Sequence, residues 1–336
     1  MILYVGNDLA SKTNYNSTMS TLSELLISSG FNVVKTSSRS NKILRLLEML
    51  FSVFIYRKKV KYILIDTFST TNFYYAYLTS QFARLLSIKY IPILHGGNLP
   101  ARLEKSKKMS SAIFTHSCVN VAPSNYLKTE FEKRGYLIQY IPNIVEVNEY
   151  KFTNRTEFMP KLLWVRAFDH IYNPTLAIKV LFRLKAKYSD AKLCMVGPVK
   201  DSSLANVHQL IKEYNLEESV EITGVLKKKI WHNLSENFDI FINTTNIDNT
   251  PVSVMEAMAL GIPVVSTNVG GIPYLIDDGS DGFLTARDNP DLMNNAINKL
   301  IKNPVITNQI TKRARLKVES FSWINNKYKW KRLLNA

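Results

Sequence analysis

Short apolar, β-branched runs alternate with helix-length amphipathic segments along nearly all of the 336 residues, and few architectures accommodate that alternation. In the first half the expected strands cover residues 2–5, 32–35, 62–65, 90–94 and 119–122, separated by amphipathic stretches such as 18–28 and 127–134. The pattern restarts with strands at 162–165, 193–196, 220–223, 240–242 and 264–266, and residues 175–188 supply a helix between the first two of these. Continuous apolar strands joined through helices indicate parallel sheets covered on both faces. The expected fold class is α/β, with two Rossmann-like doubly wound domains and a cleft between them where the strands' carboxyl ends bind ligand.

The length fits two domains. Polar, aperiodic residues 145–158 mark the boundary, so that one domain is expected over 1–150 and the other over 156–320. With 46% hydrophobic and 21% charged residues, the chain is not disordered or fibrous. Cys118 and Cys194 lie far apart without metal-ligand spacing, which suits a reducing compartment. The amino terminus lacks the marks of a signal peptide, and the apolar stretch 49–56 is too short to cross a bilayer. A cytoplasmic chain is expected, with peripheral contact at the inner face of a membrane left open.

The formal net charge is +16. Residues 1–150 carry 18 Lys and Arg against 9 acids, and 151–336 carry 25 against 18, so both halves are basic. Such charge attracts phosphorylated small molecules, anionic lipid or nucleic acid, or forms only a solvated basic surface. No nucleic-acid-binding motif appears.

Residues 41–61 stand apart. Ile43, Leu46, Leu47, Leu50, Phe51 and Phe54 recur at helical spacing, while Asn41, Arg45, Glu48 and Ser52 share the other face. Four basic residues follow within 57–61. The ordinary expectation for such a stripe is packing on the helix's own sheet; the other is contact with an anionic membrane.

The chemistry concentrates in residues 243–265, which read as strand, polar loop, helix, turn and strand. Thr250 is a suitable helix cap and Pro251 suits the first helical position, so the helix is expected to open there. Its free N–H groups would then face the loop containing Asp248 and Asn249, a natural anion site. Glu256 lies inside the helix, and Gly261-Ile262-Pro263 ends it. A second glycine turn, Gly270-Gly271, follows the next strand.

Together these stretches resemble family 4 of the glycosyltransferases. The family signature is two acids seven residues apart, then Ala-Met-Ala-x-Gly-x-Pro-Val-Val and a Gly-Gly turn; here the acids are Asp248 and Glu256. The resemblance implies a GT-B architecture, a nucleotide-sugar donor, transfer with retention, and no metal or other cofactor. It places Glu256 on the donor ribose, and Asp248, an Asp where the family has Glu, beside the transferred sugar. Arg166 stands where the family has a strand-end arginine on the donor diphosphate. Ile171 replaces a customary lysine, so that Lys200 or backbone donors would take its part. Asn249, Thr250, Pro251 and Val252 would meet the donor at the helix start, and Gly197 and Gly224 would lie near the base and diphosphate.

In the first half, His95-Gly96-Gly97-Asn98 resembles the family's histidine-bearing loop on the acceptor side, which makes His95, Asp248 and Arg166 the candidate catalytic residues. The loop 7–17 lacks the usual glycines after Gly6. Residues 321–336 look like the terminal helix that crosses back onto the first domain. The implied acceptor is a glycan or polyprenyl-linked glycan in bacterial surface polysaccharide synthesis.

Plainer readings stand beside these. His95 can be a hydrogen-bonded turn residue, Asp248 a cap and Arg166 half of a structural ion pair. Glu256 in an apolar helix requires partners in any case. His116, His170, His208 and His232 form no metal spacing. A nucleotide-sugar 2-epimerase and a catalytically silent nucleotide-binding partner of another transferase remain alternatives.

Overall fold

The computed structural model describes residues 1–7 and 17–335, so the loop expected over 7–17 lies almost wholly outside the described residues. The chain divides into two compact units, Met1–Ile144 with Trp323–Ala336, and Val145–Ser322. Residues 145–150, assigned above to the first domain, belong to the second: Val145, Val147 and Tyr150 are buried in its core. Side-chain packing of these three residues decides their membership, and no periodicity in so short a segment announces it.

The first unit holds β1 (Ile2–Val5), β2 (Val33–Thr36), β3 (Tyr62–Thr67), β4 (Tyr90–Leu94), β5 (Asn120–Ala122) and β6 (Ile138–Tyr140) in the order β2-β1-β3-β4-β5-β6. The second holds β7 (Lys161–Val165), β8 (Lys192–Val196), β9 (Val220–Gly224), β10 (Ile240–Asn243), β11 (Val264–Thr267) and β12 (Phe283–Thr285) in the order β12-β11-β10-β7-β8-β9. Every pairing is parallel. The two sheets bear out the doubly wound α/β expectation, and the central strands are buried along their whole length, as helices on both faces require. β6 and β12 were not expected. Each is a three-residue strand at a sheet end, partly exposed, and too short to carry a sustained apolar run.

The direction of winding reverses between β1 and β3 in the first sheet and between β7 and β10 in the second. Adjacent helices leave opposite faces there, and the carboxyl ends open a crevice.

The Lys42–Tyr56 helix does not dock as its apolar stripe suggests. Its buried residues are Arg45, Met49 and Val53, whereas Ile43, Leu47, Phe51 and Phe54 are exposed. The inward face contains polar groups because each has a partner. The Arg45 guanidinium donates to the Arg39 and Ser40 carbonyls and to Asn7 Oδ1 at 2.7–3.3 Å. Glu48 accepts from Ser37, and Ser52 donates to Thr36 at the end of β2.

The terminal Trp323–Asn335 helix buries Trp323, Trp330 and Leu334 among Ile2, Tyr4, Leu64 and Ile91 of the first unit. Removing a fully packed indole costs about 3–5 kcal/mol. Trp330→Ala is accordingly expected to lower stability by that amount in urea denaturation followed by circular dichroism, and Tyr328→Ala, an exposed neighbour, by less than about 0.5 kcal/mol.

Candidate functional site

At the switch point of the second sheet, Arg166 follows β7 and the loop 244–251 follows β10. The loop is stapled to the segment after β7. Thr244 Oγ1 donates to the Tyr172 carbonyl at 2.8 Å and accepts from Trp164 Nε1 at 2.9 Å. The Ile171 carbonyl accepts from the Asn246 N–H at 2.7 Å and the Thr245 hydroxyl at 3.2 Å. Ile171, noted above for the lysine it replaces, thus braces the loop through its backbone. Lys200 is exposed beyond β8, its N–H bonded to the Phe168 carbonyl at 2.9 Å.

Arg166 and Asp248 form an ion pair with each other, and the guanidinium lies 4.1 Å from the Tyr172 ring centroid. Arg166 Nε is nevertheless buried without an acceptor among the described residues, as are Asn243 Oδ1 at the end of β10, Ser253 Oγ and His232 Nε2 without partners. Such orphaned buried groups are uncommon in native proteins; Arg166 follows β7, Asn243 ends β10 and Ser253 lies in the first turn of the helix that follows, while others, such as Thr79 Oγ1 and Ser110 Oγ, lie in the first unit.

Asp248 Oδ1 accepts the Asn249 N–H at 2.9 Å. The helix opens one residue later than expected, over Val252–Leu260, with Pro251 as its extended cap and no capping side chain. Thr250 is therefore not the cap. Proline disfavours helical conformation in the residue before it, and Pro251 itself stays extended at ψ 120°. The N–H groups of the first turn remain available to an anion.

Glu256 is buried within that helix. Its Oε1 accepts from Tyr150 Oη at 2.9 Å and from Lys228 Nζ at 3.3 Å, with His232 Nε2 at 4.0 Å. Burial pushes the carboxyl above its ordinary 4.5, with Lys228 and Tyr150 opposing the rise. Burial likewise, with the Lys228 charge, pushes the His232 imidazole from 6.5 down to about 4, so it is neutral at neutral pH. Tyr150, Lys228 and His232 carry no motif; they lie 106, 28 and 24 positions from Glu256 in the sequence, and only folding brings them together.

The glycines permit these approaches. A Cβ on Gly197 would overlap the Arg166 carbonyl oxygen; one on Gly270 would overlap Asp248, and one on Gly271 would overlap Asn249. Gly224 has open space around it but a φ of +70°, which glycine adopts without strain. The Gly197 N–H donates to the Gly224 carbonyl at 2.9 Å, joining the two turns. Beside them, Asp169, His170 and Asp201 form an exposed cluster in which His170 Nδ1 and its N–H both meet Asp201 at 3.0 and 2.8 Å.

In the first unit, His95 follows β4 and is buried, stacked on Phe68 at 4.8 Å. Its Nε2 lies 2.9 Å from Asp66 Oδ1, which also accepts from Tyr4 Oη at 2.9 Å. Asp66 ends in this position because Gly6 has no Cβ to strike it. Gly96 takes φ +87°, and the Gly97 carbonyl accepts from Tyr126 Oη at 3.3 Å; Asn98 precedes the Leu99–Lys105 helix without a capping bond. Asp66 and Tyr4 were not singled out in the sequence, where they read as ordinary strand residues.

The depressed His232 pKa has a consequence for stability. The unfolded chain takes up the proton first, so stability is full above 6.5 and is lost as pH falls from 6.5 towards 4. The loss is on the order of 2 kcal/mol. His232→Phe, which keeps a ring against Tyr150, is expected to remove that part of the slope in urea titrations at pH 4 and 6.5.

The profile of the family described as "Glycosyl transferases group 1" matches residues 148–317, half of the chain. An uncharacterised glycosyltransferase of Haemophilus influenzae is 28% identical over 170 residues, 50% of this chain and 45% of that protein. The Escherichia coli UDP-Gal:alpha-D-GlcNAc-diphosphoundecaprenol alpha-1,3-galactosyltransferase is 22% identical over 311 residues, covering 85% and 78%. The chain spans less than half the length of the first curated relatives it matches. The crystal structure of Anabaena HepE in complex with UDP-glucose superposes with a TM-score of 0.77 at 17% identity, covering 100% of this chain and 99% of that one. With the family match running from the segment before β7 through the site helix and both glycine turns, the chain belongs to the group 1 glycosyl transferases.

Proposed function

We propose that the protein transfers a sugar from a nucleotide-sugar donor to a glycan or lipid-linked glycan, with retention, in bacterial surface polysaccharide synthesis. The observation that carries this reading is the switch point of the second sheet. An arginine with an orphaned Nε follows β7, and a helix start with free N–H groups and a buried acid follows β10, the turns between them drawn together by glycines that pack against backbone. The relatives add support, since one is named for a UDP-galactose donor and a diphosphoundecaprenol-linked acceptor.

In this reading the ribose hydroxyls donate to Glu256. All three contacts of that carboxyl fall on Oε1, which leaves Oε2 for a second hydroxyl. The diphosphate takes the first turn of the Val252–Leu260 helix and the Arg166 guanidinium, displacing part of the Asp248 pair. Asp248, so released, turns to the transferred sugar. Charge that grows on the departing diphosphate is met by a fixed cation and helix dipole, and this stabilisation supplies most of the rate. The first unit, with His95 held by Asp66, takes the acceptor. No metal or other cofactor has a part in this scheme.

Calorimetry against UDP-, GDP-, ADP- and CMP-sugars tests the donor site. One donor is expected to bind, and Glu256→Gln and Arg166→Ala are each expected to weaken it roughly 10- to 100-fold, the loss of a charge-assisted bond or two. Absence of binding to every donor by folded protein would overturn the reading. Free UDP-sugar interconverted without acceptor would favour the epimerase, and binding without turnover of any acceptor the silent partner.

The same titration run against pH has a defined sign. The ribose is gripped by the ionised carboxylate, whose pKa is raised above 4.5. Donor affinity is expected to hold at neutral pH and to fall as pH drops through that raised value, and Glu256→Gln to abolish the dependence.

A further inference from the structure

We propose that the outward face of the Lys42–Tyr56 helix is a docking surface for an anionic lipid bilayer. Ile43, Leu47, Phe51 and Phe54 are 71%, 56%, 63% and 46% exposed, and Leu44 and Ile55 extend the same face. At 100° per residue these six side chains fall within one arc of about 120°. The arc runs the length of a 15-residue helix, about 22 Å. Six large apolar groups on one exposed helix face exceed the scattered apolar residues of an ordinary surface.

Charge identifies the occupant. Lys42 stands at one end of the face and Arg57, Lys58 and Lys59 at the other. The Arg57 guanidinium lies 3.9 Å from the Phe54 ring centroid and donates to the Phe54 carbonyl, which holds a cation at the rim of the apolar face. The single acid of the helix, Glu48, flanks this arc and is paired with Ser37 and Arg39. The adjoining Asn72–Leu85 helix, tied on through the bond from Tyr75 Oη to the Lys42 carbonyl at 3.1 Å, adds exposed Tyr74 and Leu78. An apolar strip bordered by cations matches the acyl boundary and phosphates of an anionic leaflet. A second copy of this chain would bring another +16 against it. Among the described residues no helix is long and apolar enough to cross a membrane, so the contact is parallel to the surface.

The inference stands apart from the donor site, and its test does not use it. The full chain is floated with vesicles of phosphatidylcholine alone or mixed with phosphatidylglycerol, at low and high salt. It is expected to rise with the anionic vesicles and to bind roughly tenfold or more weakly to the neutral ones or at high salt. The triple variant Leu47→Ser, Phe51→Ser, Phe54→Ser and the double variant Lys58→Glu, Lys59→Glu are each expected to lose at least tenfold. All five positions are exposed and outside the core, so thermal unfolding and circular dichroism should match the parent and report a folded chain. Flotation unchanged by both variants, or equal on neutral and anionic vesicles, overturns the proposal. So does a dimer in sedimentation that the triple variant dissociates while vesicle binding persists.

Discussion

The second unit depends on backbone approaches that admit no Cβ. Gly197 lies against the Arg166 carbonyl, and Gly270 and Gly271 lie against Asp248 and Asn249. These contacts bring the turns after β7, β8, β10 and β11 to one place, although the strands come from separate parts of the chain. An alanine at any of the three would have to move backbone rather than a flexible side chain. The glycines are therefore spacing elements that let these turns approach one another at the carboxyl end of the sheet.

Within that crevice the charges are already compensated. Arg166 holds Asp248, and Glu256 holds Lys228 and Tyr150. A buried charge without a partner is costly, so pairs of this kind offset the burial of each charge. They also mean that a ligand exchanges partners with the protein instead of meeting bare charges. Among the described residues of this unit, Arg166 Nε, Asn243 Oδ1, Ser253 Oγ and His232 Nε2 are buried polar atoms without a hydrogen-bond partner, and Arg166 has its charge paired through another nitrogen.

The first unit follows a different logic. Its Lys42–Tyr56 helix packs inward through Met49, Val53 and the bonded Arg45, and most of its apolar stripe, Ile43, Leu47, Phe51 and Phe54, is left outside. Hydrophobic periodicity reports that a helix has two faces, not which one meets the sheet. Arg45, with three acceptors, and Glu48 and Ser52, with partners around β2, reverse the expected orientation. Asp66 shows the same limit on a smaller scale. Within an apolar strand its partners Tyr4 and His95 are 62 and 29 positions away, and neither distance leaves a mark on local sequence.

What the sequence determined by itself is whatever depends on neighbours along the chain. Apolar runs of four to six residues became the central strands, and the spacing of Asp248, Glu256 and the glycine turns identified the family. Short edge strands, the one-residue delay of the site helix behind Pro251 and the membership of residues 145–150 were decided by packing. So were the surroundings of Glu256, because Tyr150, Lys228 and His232 meet it only after the second sheet has wound. The physical reason is common to all of these. Local pattern sets which residues are apolar and which turns can form, whereas burial and pairing are settled by groups far apart in the chain and adjacent only in the folded protein.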